Sequence, residues 1–207
     1  MHSGNEHPRV LNLHRVTIRM MSRLCYSFFA GLLLLTPGFS WAENRVLIDA
    51  TAYTLTVLDD NQPLLVIEGI SIGRFGAGRD KKTGDGISPL GTYHVTSIKQ
   101  SKRFHFFIGL DYPSAEDTER GLEKGLLTQE QAEAIRAAHA RGKLPPQDTP
   151  LGGYIGLHGI GAGDPAVHAS YNWTRGCIAV TNDQIEQLLD LIQIGTEVKI
   201  TQTGGKP

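Results

Sequence analysis

The chain has 207 residues, 40% of them hydrophobic and 20% charged, with a formal net charge of -1. That length suits one domain, or one domain behind a leader. The charge leaves no basic excess for nucleic-acid phosphates, the apolar content is too high for disorder and too scattered for a multi-span membrane protein, and two cysteines exclude a disulfide-rich scaffold or a four-thiolate zinc site.

Residues 1–42 read as a signal peptide. Arg15, Arg19 and Arg23 form a positive stretch, and Tyr26 to Leu35 is almost wholly apolar. Pro37 and Gly38 break the run, and Ser40-Trp41-Ala42 offers small residues at the two positions a signal peptidase reads. About ten apolar residues are too few to cross a bilayer roughly 30 Å thick, so an uncleaved anchor is the weaker alternative. Met20 or Met21 is a candidate for the true start. Cleavage removes Arg9, Arg15, Arg19, Arg23 and Glu6, which takes the formal charge from -1 to -4 and leaves Cys177 as the remaining cysteine. The predicted location is the periplasm, with no stable membrane span after cleavage. A lone thiol in an oxidising compartment is either a buried inert residue or a functional one.

From Arg45 to Gly73 the pattern is strand-like. Val46-Leu47-Ile48 is an apolar run, Tyr53 to Leu58 alternates, Asp59-Asp60-Asn61 is a turn cluster, and Leu64 to Ile72 is rich in β-branched residues. A β-meander is the expectation. Residues 73–91 are glycine-rich; Gly84 is followed by Asp85, not by the Lys-Ser/Thr of a phosphate loop, so they read as a surface connection. Thr92 to Thr96 and Phe104 to Leu110 resume the strand pattern. Residues 111–150 read as a mostly polar helical insertion, lid-like or merely decorative. Thr128 with Glu130 and Gln131 marks a helix start, and Gly142 its end. Gly153 to Leu157 is a short strand leading to His158, followed by a glycine-rich loop to Asn172. Ile178-Ala179-Val180 is another strand. Asn182 is a candidate N-cap for a helix from Asp183 to about Ile192, and Thr196 to Thr201 is the last strand. The fold class is mainly β, with a helical insertion and one C-terminal helix packed on the sheet.

Cys177 precedes one apolar strand and His158 ends another. A thiol needs an adjacent imidazole to become thiolate near neutral pH, and that imidazole can later protonate a leaving amine. Gly176 and Gly159 leave backbone N–H groups that a substrate carbonyl can approach, as an oxyanion site requires. The chemical rival is a metal site built from His158, His168 and Cys177 with His94 or Asp164, but no pair has the close spacing of zinc ligands. His168 reads as a solvated or substrate-facing loop residue.

The stretch from Leu157 to Asn182, LHG followed by WTRGCIAVTN, resembles the L,D-transpeptidase catalytic (YkuD) family, whose mark is His-Gly, a short loop, then Ser/Thr-x-Gly-Cys-hydrophobic and a closing asparagine. Upstream, Ser88, Pro89, Gly91 and Tyr93 resemble the family's Thr/Ser-Pro-x-Gly-x-Tyr strand. The similarity covers roughly residues 45–201. It implies a β-sandwich or partly open barrel over 43–207, with Cys177 as nucleophile, His158 as general base and acid, and Gly176 and Gly159 near the oxyanion site. Thr174 holds the family's Ser/Thr position, and Asn182 is read as a helix cap. Many members carry an arginine two residues after the cysteine, where this chain has Ala179; Arg175 stands two residues before it. Arg175, Thr174, Trp173, His168 and Tyr154 are the candidate substrate-binding residues. The implied activity is acyl transfer between peptidoglycan stem peptides, with an amine of another stem or of an envelope protein as acceptor, or water in a carboxypeptidase. No cofactor or metal is implied. A sortase would need an arginine after the cysteine, and Cys177 is followed by none.

Overall fold

The computed structural model describes residues 44–203; the predicted signal peptide lies outside them. No helix among the described residues is long and apolar enough to cross a membrane.

The chain begins with the expected meander: β1 (Arg45–Asp49), β2 (Thr54–Asp59) and β3 (Gln62–Glu68), paired antiparallel in order. The β2–β3 loop is Asp60 and Asn61, both at positive φ. A two-residue hairpin loop needs that conformation, and Asp and Asn tolerate it best after glycine. β3 stops at Glu68, short of the predicted Ile72, because Gly69 turns the chain at φ +72. The apolar run continues beyond it for a separate reason: Ile70, Ser71 and Ile72 are buried, and Ser71 pairs with Ala179 at the far end of the sheet.

Among the described residues ten strands form two sheets. β4 (Ala77–Gly78) and β5 (Ser88–Pro89) make a small parallel pair. The large sheet has the order β3-β2-β1-β10-β6-β7-β8-β9, adding β6 (Gly91–Ser101), β7 (His105–Leu110), β8 (Gly156–Gly159), β9 (Ile178–Val180) and β10 (Glu197–Thr201). β6 holds the sheet together. Its first residues pair with β10 and its later ones with β7, and the register slips between Val95 and Ser97. Such an irregularity bends a strand, so the two ends of the sheet close over one core that includes Ile48, Leu55, Val198, Ile108, Leu157 and Ile178. Ser71 and Gly73 bridge toward Ala179 and Thr174, yet no continuous ladder joins β3 to β9. The barrel stays partly open.

Among the described residues four helices accompany the sheet where two were expected. α2 (Gln129–Ala140) starts at the predicted Thr128, whose hydroxyl accepts from the Gln131 N–H while the Gln131 side chain returns to the Thr128 N–H. α1 (Ala115–Glu123) was missed because AEDTERGLE has too little apolar content for a periodic signal; its start is marked only by the Ser114/Asp117 capping box. Asp117 also accepts from the Tyr93 hydroxyl at 3.1 Å, tying the insertion to β6. α3 (Pro165–Ser170) occupies the supposed loop, with Asp164 as cap and Pro165 at the first helical position. α4 (Asn182–Leu189) buries Ile185 and Leu188 completely against β7 and β8, each burial being worth about 2 kcal/mol. Its cap is Thr181, one residue before the expected Asn182.

Candidate active site

β8 and β9 run parallel, with Leu157 opposite Ile178 and His158 opposite Ala179. This register brings the residue before β9, Cys177, beside Gly156 at the start of β8. The Cys177 thiol donates to the Tyr154 carbonyl at 3.4 Å and also receives the Gly156 N–H. Burial pushes the thiol up to about 11, against the Gly156 N–H and the Lys81 charge, which both pull it down.

His158 is 2% exposed. Its Nδ1 donates to the Gly159 carbonyl at 2.8 Å, which leaves Nε2 as the basic nitrogen of a neutral ring. Aromatic rings hold the imidazole on several sides: Phe104 lies 4.1 Å away between centroids, Phe107 is stacked at 6.4 Å, and Trp173 presents its edge at 5.7 Å. Burial lowers the His158 pKa, with Arg103 and His168 adding to the shift and the Gly159 carbonyl opposing it. The ring is therefore a neutral acceptor at ordinary pH.

The cysteine loop is built from inside. The buried Thr174 hydroxyl donates to the Cys177 carbonyl at 2.7 Å and accepts from the Gly176 N–H at 3.1 Å. That second bond commits an N–H expected to be open to a substrate oxygen. Gly176 has φ +127, and a Cβ there would meet the Ile87 carbonyl at 2.7 Å. Gly176→Ala is therefore expected to cost about 1–3 kcal/mol in backbone strain alone. The clash adds to it, so a thermal melt should fall by several degrees; an unchanged melt would mean the loop reshapes freely. Gly159 is required for a different reason: a Cβ would lie 2.6 Å from Asn182 Oδ1 and 2.9 Å from the Phe104 carbonyl.

Asn182 is the correction of most consequence. It does not cap α4; its amide accepts from the Gly161 N–H and donates to the Gly161 carbonyl, both at 2.8 Å. It thus clasps the loop that follows His158. His168 is no solvated loop residue either: it is 7% exposed on α3, its Nδ1 accepts from Trp173 Nε1 at 3.4 Å, and its Nε2 is buried without a partner. Arg175 and Tyr154 are exposed beside the cysteine, the latter at φ +56 with its N–H on Gln147. Ala179 is fully buried and bonded to Ser71, so nothing at that position reaches solvent.

Residues 73–91 are a surface connection only in part: Arg74, Phe75, Arg79, Asp80 and Lys82 to Gly84 are exposed, but the segment also passes under the cysteine loop. Ser88, fully buried, accepts from the Gly73 N–H and donates toward the Cys177 carbonyl at 3.5 Å, and Lys81 is buried beneath Gly176. The sequence signal was the Lys81–Asp85 spacing with glycines around it, but a surface turn has the same composition. As for the metal alternative, no group of three metal-ligating side chains converges among the described residues, and His94 instead faces Asp111 at 3.2 Å.

No curated protein matches the chain in sequence. Among solved structures, the chain is similar to a helical cell shape determining protein, Pgp2 (K307A mutant), from Campylobacter jejuni, at 19% identity and a TM-score of 0.53 over 80% of this chain and 49% of that one. It is also similar to Bdellovibrio bacteriovorus Bd1075, at 21% identity and a TM-score of 0.49 over 77% and 48%. A third is the catalytic domain of the Enterococcus faecium L,D-transpeptidase, at 12% identity and a TM-score of 0.44 over 77% and 97%. The chain thus spans about half the length of the first two. The L,D-transpeptidase catalytic domain (YkuD) family matches residues 43–200, a span that holds both strands of the Cys177/His158 site. The chain belongs to that family.

Proposed function

We propose that the chain is an exported, cysteine-dependent acyltransferase that cross-links peptidoglycan stem peptides. The observation that carries this reading is the fixed tautomer of His158, whose Nδ1–H is spent on Gly159 while Nε2 keeps its lone pair, on the strand paired with the one that follows Cys177. His158 Nε2 takes the proton of the Cys177 thiol, and the sulfur attacks the carbonyl that joins the L-centre of the diamino acid to the terminal D-amino acid. The tetrahedral intermediate collapses, the C–N bond breaks, and His158 returns the proton to the departing amine. A thioester on Cys177 remains. The amine of a second stem peptide, or of an envelope protein, then attacks it; His158 removes that amine's proton and passes it to the Cys177 sulfur.

The Cys177 N–H, which has no hydrogen-bond partner among the described residues, is the donor beside the sulfur for the oxyanion. With the Gly176 N–H held by Thr174, this part of the oxyanion role passes from Gly176 to the cysteine. A cleft of about 480 Å³ runs from Trp173 past Phe104, Ile160 and Asp164 to the cations Lys102 and Arg103. A peptide that bears carboxylates fits an apolar floor with two cations on the rim. Arg103 lies close enough to His158 to lower its pKa, and this side of the site supplies the charge that Ala179 does not. Export, a periplasmic site of action and a role in cell wall organisation and cell shape follow from the leader and the substrate class.

The test is incubation of the chain with tetrapeptide-stem muropeptides, followed by mass spectrometry. Cross-linked dimers with release of the terminal D-amino acid are the expected products. Tripeptides without dimers would make the chain a carboxypeptidase working through the same residues, and unchanged muropeptides would end both readings.

A further inference from the structure

Lys81 lies in a segment whose composition reads as surface, yet its side chain is 4% exposed. A buried ammonium is costly unless it is paired. Nζ donates to Asp85 Oδ1 at 3.0 Å and toward the Lys82 carbonyl at 3.5 Å. Asp85 is itself locked: it accepts from the Ile87 and Lys82 N–H groups, and these with Lys81 outweigh burial and hold its pKa below the usual carboxylate range. The pair is therefore a fixed fitting in the β4–β5 connection. It faces the cysteine loop: Nζ is 3.1 Å from the place a Gly176 Cβ would occupy, one residue before Cys177.

This position answers a need of the site. Burial opposes the charged form of both Cys177 and His158, so a fixed positive charge nearby eases formation of the thiolate. Among the described residues the Lys81 charge reaches the thiol, with Asp85 paired to it; His158 lies on the adjoining β8, Arg175 stands two residues before Cys177, Tyr112, Asp117, Arg120 and Lys124 line the small cavity that Lys81 shares, and Tyr154 and Gly156 contribute backbone atoms. Arg175 is exposed to solvent, which screens its charge, and Lys81 is not.

We propose that Lys81, held by Asp85, is a positioning residue of the site: a buried cation that supports the Gly176 turn from beneath and stabilises the Cys177 thiolate. The proposal rests on Cys177 being the reactive thiol, and its test does not require that the chain act on peptidoglycan. The full chain is treated with iodoacetamide across a pH series, and alkylation is read by mass spectrometry on the tryptic peptide from Gly176 to Lys199, which excludes Cys25. Lys81→Met is expected to move the alkylation midpoint up by about one unit, roughly tenfold slower labelling at a given pH below it. Lys81→Arg should recover most of that loss. Asp85→Asn removes the neighbouring negative charge and keeps the lysine, so its midpoint should move down. Opposite signs for the two variants separate a charge effect from simple loosening of the loop, which would move both the same way. A midpoint unchanged in folded Lys81→Met overturns the proposal. If that variant does not fold, an unchanged or raised midpoint in Asp85→Asn does so. Should muropeptides remain unprocessed while the midpoints shift as stated, the functional reading fails and the role of Lys81 stands.

Discussion

Cys177→Ala is expected to abolish muropeptide processing, with a loss of at least about a thousandfold, because no other group near His158 can form a thioester. The thiol is half-buried, and its contacts with the Tyr154 carbonyl and the Gly156 N–H are single weak hydrogen bonds. Deleting one sulfur therefore costs about 1 kcal/mol at most, and the thermal melt should stay close to that of the parent. A carbapenem, which acylates nucleophiles, should add its mass to the parent at Cys177 and not to the variant. Turnover or an adduct in Cys177→Ala would place the nucleophile elsewhere.

His158→Gln is expected to slow acylation of Cys177 by about 10² to 10⁴, the usual contribution of a general base. Glutamine can keep a donor on the Gly159 carbonyl, but its amide has no lone pair basic enough to take the thiol proton. Since His158 is 2% exposed behind Phe104 and Trp173, the effect should fall on the rate of the chemical step and leave KM nearly unchanged. Rapid-mixing mass spectrometry of the carbapenem adduct isolates that step. The direction of the His158 shift sets the pH behaviour: burial lowers its pKa, so the imidazole remains an available base below its ordinary range near 6.5 as pH falls. Parent acylation should accordingly decline on acidification later than a solvent-exposed histidine would dictate, and in His158→Gln the inflection set by the imidazole should give way to a steady fall with the thiolate fraction of Cys177, whose pKa burial raises. An acylation rate equal to the parent's would assign the base to another residue.

Part of this site is written in local sequence. Cys177 and His158 each adjoin a short apolar run that must be a strand, and each is followed or preceded by a glycine whose neighbours leave no room for a Cβ. The hairpin at Asp60-Asn61 and the start of α2 at Thr128 are equally local, because turn and cap chemistry are settled within four residues. Where local signals misled, they did so at places of tertiary contact. Asn182 has the right chemistry for a cap, but Thr181 takes that place and the amide reaches Gly161. Asp164-Pro165 was a sufficient helix start, overlooked inside a run of glycine and alanine. Lys81 and Asp85 belong to a polar, glycine-rich segment, and nothing in such a segment states that it will be folded under another loop.

The sequence by itself determined which residues can do chemistry, which segments alternate like strands, and that Cys177 is the one cysteine among the described residues. Only the tertiary structure decided which of those residues meet. β1 pairs with β10 across nearly the whole domain, β6 bends to serve two partners, and the β4–β5 connection slides its ammonium beneath Gly176. The physical reason is that capping and alternation depend on near neighbours in the chain. Burial, by contrast, and with it the charge state of Cys177 and His158, depends on which distant segments exclude water from them.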